Sequence, residues 1–246
     1  MKKLTVISII VLGFALALFA EDVGEEPAET GGPQPKIVLG EQRFDFGYSP
    51  EGFFMVHAYK VKNEGEAELR IQRVRTTCGC TSAPMKKMQL APGEDTEVTV
   101  IFNSTRYRHS TSKSAIITSN DPVNRSVRVT FTANMDTTGF PFVVEPWGME
   151  IPTGEDPPKE MIFKVKNSSE SKVNLNVVDY TADVFNEPKL KNDKLKPGQD
   201  TKIELTLNED FDPAAHYIKA SVTIEAEGIG EKPVRFTLPV KGSGPR

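Results

Sequence analysis

The chain has 246 residues, 26% of them charged and 38% hydrophobic, with a formal net charge of −4 and an isoelectric point near 5.6. That balance supplies no electrostatic footprint for a phosphate backbone, so nucleic acid is not an expected partner. The only cysteines, Cys78 and Cys80, stand one glycine apart.

Lys2 and Lys3 open the chain and precede an apolar run over residues 4–20, broken only by Thr5, Ser8 and Gly13. This is the layout of a secretory signal peptide, predicted over residues 1–20, with Ala20 at the cleavage point and Ala15-Leu16-Ala17 as a second small-residue site. The run lies at the short edge of the ~17 to 25 residues that span a bilayer, so an uncleaved N-terminal anchor is the alternative. No later stretch is apolar enough to span, and no stable membrane insertion is expected once the leader is cut. Residues 21–36 are acidic, rich in Pro and Gly and poor in anything to bury, which predicts a disordered linker.

Two domains are predicted beyond it, at residues 37–134 and 139–242, because short motifs recur in the same order. Lys60-Val61-Lys62-Asn63 returns as Lys164-Val165-Lys166-Asn167, and Pro92-Gly93-Glu94-Asp95-Thr96 as Pro197-Gly198-Gln199-Asp200-Thr201. Phe46-Gly47 corresponds to Trp147-Gly148, and Val127-Arg128-Val129-Thr130 to Val234-Arg235-Phe236-Thr237. Within each domain the apolar period is two, as where Val98, Val100 and Phe102 alternate with polar neighbours. Breakers such as Asn63-Glu64-Gly65 and Asn120-Asp121-Pro122 supply tight turns between the runs. The expected fold class is all-β, two tandem immunoglobulin-like β-sandwich domains, with Trp147 packing in the second core.

Phe44-Asp45-Phe46-Gly47, Tyr59-Lys60-Val61-Lys62-Asn63-Glu64-Gly65, Cys78-Gly79-Cys80-Thr81, Pro92-Gly93-Glu94 and Ser119-Asn120-Asp121-Pro122 follow one another in the first domain. In this order they resemble the bacterial family called domain of unknown function 1573. The resemblance covers nearly all of residues 37–134. It implies an exported immunoglobulin-like domain related to the Hydin and sperm-protein types, with no established activity. The second domain shares the frame but carries Tyr180-Thr181-Ala182-Asp183-Val184 where the cysteines would fall.

The candidate site is the thiol motif Cys78, Gly79, Cys80 and Thr81, and three chemistries compete for it. A disulfide could pin a sharp bend that Gly79 permits. An exposed disulfide could instead exchange with other thiols. Cys78 and Cys80 with Met85 and Met88 could hold copper(I), since thiolates and thioethers suit a soft ion. Otherwise no cofactor is expected. His57, His109 and His216 are scattered singly and read as surface or edge residues, and no nucleophile elbow, phosphate loop or metal-binding helix is present. Arg106-Tyr107-Arg108-His109 reads as a solvated basic loop, and three glycosylation-like sequons read as chance. The expectation is a non-enzymatic, periplasmic or secreted envelope protein, acting as a structural or protein-interaction module with an envelope or extracellular protein partner. The alternative is a copper(I)-binding or thiol-redox module centred on Cys78 and Cys80.

Overall fold

The computed structural model describes residues 31–242, 244 and 245. The predicted signal peptide and most of the acidic linker lie outside the described residues. The end of that linker does not: the carbonyl of Gln34 accepts the amides of Glu66 and Ala67, and that of Lys36 accepts Glu64, so the chain is folded a few residues ahead of position 37.

All regular structure among the described residues is β. The first half contains β1 (Ile37–Leu39), β2 (Arg43–Tyr48), β3 (Phe54–Asn63), β4 (Leu69–Thr76), β5 (Thr81–Ser82), β6 (Gln89–Leu90), β7 (Asp95–Asn103), β8 (Ser110–Ser119) and β9 (Ser126–Asn134). The second contains β10 (Phe142–Glu145), β11 (Met149–Ile151), β12 (Met161–Asn167), β13 (Val173–Tyr180), β14 (Lys189–Leu190), β15 (Lys194–Leu195), β16 (Asp200–Leu205), β17 (Ile218–Glu227) and β18 (Val234–Gly242). The architecture is an immunoglobulin-like β-sandwich. Two four-stranded sheets, ordered β1-β3-β7-β5 and β10-β12-β16-β14, pack on one ten-stranded sheet that runs β15-β13-β17-β18-β2-β9-β8-β4-β6, with β11 also on β18.

Alternation drives this packing, because side chains two apart share a face. Val129, Phe131 and Ala133 of β9 are buried while Arg128 and Thr132 are exposed. Val98, Val100 and Phe102 of β7 face them across the first core, with Phe102 and Phe131 rings 5.2 Å apart. The second core repeats the plan with Phe163, Ile203, Leu205, Ile224 and Phe236 fully buried. Trp147 lies at its rim, partly buried, stacked on Phe140 at 4.6 Å and donating its indole N–H to the Thr237 carbonyl.

The repeated motifs converge on one piece of local structure. Fully buried Asn63 donates its side-chain amide to the carbonyls of Ala67 and Leu90, while its Oδ1 accepts the amide of Gly65. Asn167 does the same with Ser171, Leu195 and Ser169. The Pro-Gly turn clasps each asparagine: Gly93 N donates to Asn63 O and Asn63 N to Glu94 O, matched by Gly198 with Asn167 and Asn167 with Gln199. Gly93 and Gly198 adopt φ of 80° and 78°, where a Cβ would be strained.

Between the halves the sheet is continuous. β2 pairs in parallel with β9 on one side and with β18 on the other, where Phe236 opposes Tyr48. Gly47, at φ 64°, lets the chains touch: a Cβ there would sit 2.0 Å from the Arg235 carbonyl oxygen. Buried Thr237 donates its hydroxyl to Phe46 O at 2.7 Å, and the buried Ser221 hydroxyl both accepts Val56 N and donates to Val56 O. The described residues from Pro33 onward form one compact unit.

Candidate functional site

The cysteine motif stands where the chain crosses from the large sheet to the small one. β4 ends at Thr76; Thr77 then donates both its amide and its hydroxyl to Ser114 O, and its hydroxyl accepts Ser114 N, which ties the crossing to β8. Three residues on, the Cys80 carbonyl accepts the amide of Asn103 and the chain enters β5 against β7. Cys78 and Cys80 form a disulfide with Cα atoms 5.3 Å apart. Cys78 is half-buried, Cys80 packs against the first core, and Thr81 is buried with its hydroxyl 3.4 Å from the Cys78 sulfur. Gly79 is exposed, and a Cβ on it would meet nothing within 4 Å.

The second half makes the same crossing without sulfur. Thr181 donates its amide and hydroxyl to Ser221 O and accepts Ser221 N, as Thr77 does with Ser114. Its carbonyl then accepts the amides of Val184 and Phe185 at 2.9 Å, a tight backbone turn that delivers Phe185 opposite Leu207, two residues beyond the end of β16. Disulfide and turn are thus two solutions to one bend.

The methionines do not gather around the cysteines. Met85 lies further along the edge, opposite Val98, and packs against the first core. Met88 is 40% exposed, and its carbonyl accepts Ile71 N near the start of β4. Five strand residues separate Ile71 from Thr76, which places Met88 about 16 Å from the crossing.

Among the described residues, no strand pairs with the outer side of the sheet edge that follows the disulfide. Thr81 and Ser82 pair with Phe102 and Ile101, Pro84 O accepts Thr99 N, and Lys86 N donates to Glu97 O. By the alternation of an antiparallel ladder, the backbone groups of Thr81, Ala83 and Met85 then point away from β7. Beside this edge lies a groove of about 360 Å³ lined by Val56, Pro84, Met85 and Ile101 of the first half and Val184 and Lys219 of the second.

Sequence reasoning missed a second constellation, at His57. Instead of lying on the surface, its ring is 5% exposed and stacked 3.7 Å from the Phe44 ring. Nδ1 lies 2.8 Å from Asp179 Oδ2, across the boundary between the halves, and Nε2 lies 2.9 Å from Glu41 Oε1. Neighbouring Tyr59 donates its hydroxyl to Thr130 O, and burial, then the Glu41 charge, pushes its ionisation well above the usual range. The only sequence signal for this lock was alternation on β3, which places His57 with Met55 and Tyr59 on a buried face.

An all-β immunoglobulin-like sandwich with a disulfide at its sheet crossing defines the class. Residues 37–135 match the family described as "Protein of unknown function (DUF1573)". No curated protein matches the chain. Among solved structures it is similar to a protein of unknown function from Porphyromonas gingivalis W83, at 14% identity, covering 84% of this chain and 99% of that one, with a TM-score of 0.35. It is also similar to the E. coli chaperone DraB, at 9% identity over 82% and 95% with a TM-score of 0.33. The PapD-like domain 7 of human CEP192 aligns at 9% identity over 50% of this chain and 96% of that one, with a TM-score of 0.34.

Proposed function

We propose that this is a non-enzymatic exported protein of the cell envelope, and that it captures an extended segment of a protein partner along the edge formed by residues 81–86. One observation carries the reading: the Cys78–Cys80 bridge fixes the point where this edge begins, and the edge is hydrogen-bonded on one side only. A partner strand would take up the outward amides and carbonyls, and its alternate side chains would enter the apolar groove beside Met85 and Val184. The disulfide on this reading holds the edge in register, which lowers the ordering cost of binding.

Ala83→Pro tests it, because proline deletes one outward amide while leaving the bonds to β7 in place. The variant is expected to unfold at the wild-type temperature and to lose a partner that wild type recovers from envelope extracts. Equal recovery by both proteins would overturn the proposal.

The half-buried Cys78 sulfur supports one further reading, thiol exchange with an envelope dithiol. Trapping of a mixed disulfide when the free Cys78 thiolate of Cys80→Ser attacks the partner's oxidised, disulfide form and displaces one of its thiolates, but not with the double serine variant, is the result it requires.

A further inference from the structure

The outer face of the large sheet in the first half is a field of unpaired arginines. Arg73 and Arg75 of β4, Arg128 of β9 and Arg43 of β2 are all exposed. Register brings them onto one surface: Arg75 opposes Ile116, which opposes Arg128, and in the next row Ser114 opposes Thr130, which opposes Arg43. Adjacent strands are about 4.8 Å apart, so Arg75 and Arg128 stand roughly 10 Å apart across β8. Other arginines do form ion pairs: Arg70 at the start of β4 with Glu68, Arg108 with Glu51, and Arg235, beside Arg43, with Glu225. Among the described residues, Arg43, Arg73, Arg75 and Arg128 have no carboxylate within ion-pair distance.

This is unusual in a chain of net negative charge. Segments 69–93, 98–120 and 122–135 contain no Asp or Glu, and these segments supply three of the four strands of the face. Asp45 of β2, a carboxylate on this face, is engaged by the Thr132 hydroxyl at 2.7 Å and by Gly47 N. The rest of the surface is hydroxyl: Ser112, Thr130 and Thr132 line a shallow groove of about 420 Å³ together with Arg43, Asp45 and Arg235.

We infer that this face binds an acidic polysaccharide through its sugar carboxylates. Guanidinium groups at fixed spacing pair bidentately with carboxylates, while serine and threonine hydroxyls suit ring hydroxyls. An acidic peptide fits less well, because β8 and β9 at the centre of the face are paired on both sides and offer no backbone for strand addition. The surface belongs to the large sheet and the proposed partner edge to the small one, so the two readings stand or fall separately.

The test uses the full chain freed of its leader, with polygalacturonate as probe and dextran and poly-L-glutamate as comparisons. Polygalacturonate is expected to bind, more weakly as salt rises, and Arg75→Ala with Arg128→Ala should lower the affinity about tenfold or more. Arg106→Ala with Arg108→Ala removes the same charge from the β7–β8 loop and should leave it nearly unchanged. Absence of polygalacturonate binding at low salt would overturn the inference, as would equal losses from the two pairs of substitutions. Poly-L-glutamate bound as tightly, or dextran bound at all, would also overturn it.

Discussion

Asp179 on β13 places a carboxylate oxygen 2.8 Å from Nδ1 of His57 on β3, joining the halves at a buried ring. Removing the ring deletes the contacts to both Asp179 and Glu41 and the stacking on Phe44. His57→Ala is therefore expected to lower stability by about 2–4 kcal/mol. A double-mutant cycle with Asp179→Ala in denaturant unfolding should return a coupling energy above about 1 kcal/mol; additive losses would mean that stacking on Phe44 is all the ring contributes.

Two glycines of the first half make a sharp contrast. Gly47 combines φ of 64° with an Arg235 carbonyl 2.0 Å from the position of a Cβ, whereas Gly79 has open space around it. Gly47→Ala should cost about 2–4 kcal/mol, since the backbone contact must move as well as the dihedral. Gly79→Ala should stay within about 0.5 kcal/mol. Thermal unfolding of the two variants side by side decides it.

Asp121 makes stability depend on acid. Burial alone would raise its pKa, but the backbone amides of Asn124, Ile37 and Val123 outweigh that and hold the carboxyl below its ordinary value. A group depressed on folding adds stability that is complete above the unfolded value, about 3.9, and is lost as pH falls through the folded value. Asp121→Asn should flatten the acid limb of a stability profile measured from pH 6 down to pH 2, and an unchanged limb would show that other carboxylates govern it.

Reducing the Cys78–Cys80 bridge should leave the fold intact. Its ring closes over a single intervening residue, so the entropy removed from the unfolded chain amounts to less than about 2 kcal/mol. Thr181 already shows that a backbone turn can make the same crossing. The effect should be local: in Cys78→Ser with Cys80→Ser, amide exchange is expected to quicken at Ser82 and Lys86 while β8 and β9 keep their protection. Exchange that quickens across the whole first half would contradict a local role.

The repeat in sequence was a direct reading of the clasp in structure, because Asn63 and Gly93 act through turn geometry that only particular residues allow. Strand alternation likewise marked the buried faces of β7 and β9. The inter-half seam was hidden, since alternation says which face is buried and not what covers it: β2 has one pattern whether its outer edge meets water or β18. Alternation marked His57 as buried but could not name Glu41 and Asp179 as its partners, because Asp179 reaches it only at the junction of the halves. The disulfide was among the bends that Cys-Gly-Cys permits, but its place at the sheet crossing needed Ser114 and Asn103, distant in sequence.

Because β2 is hydrogen-bonded to both β9 and β18, the link between the halves is built like the inside of a sheet. A pair of sandwiches on a flexible tether would work as a hinge, searching for two contacts independently. This chain has no such joint: the contacts of Gly47 with Arg235 and of His57 with Asp179 would have to break before one half could turn on the other.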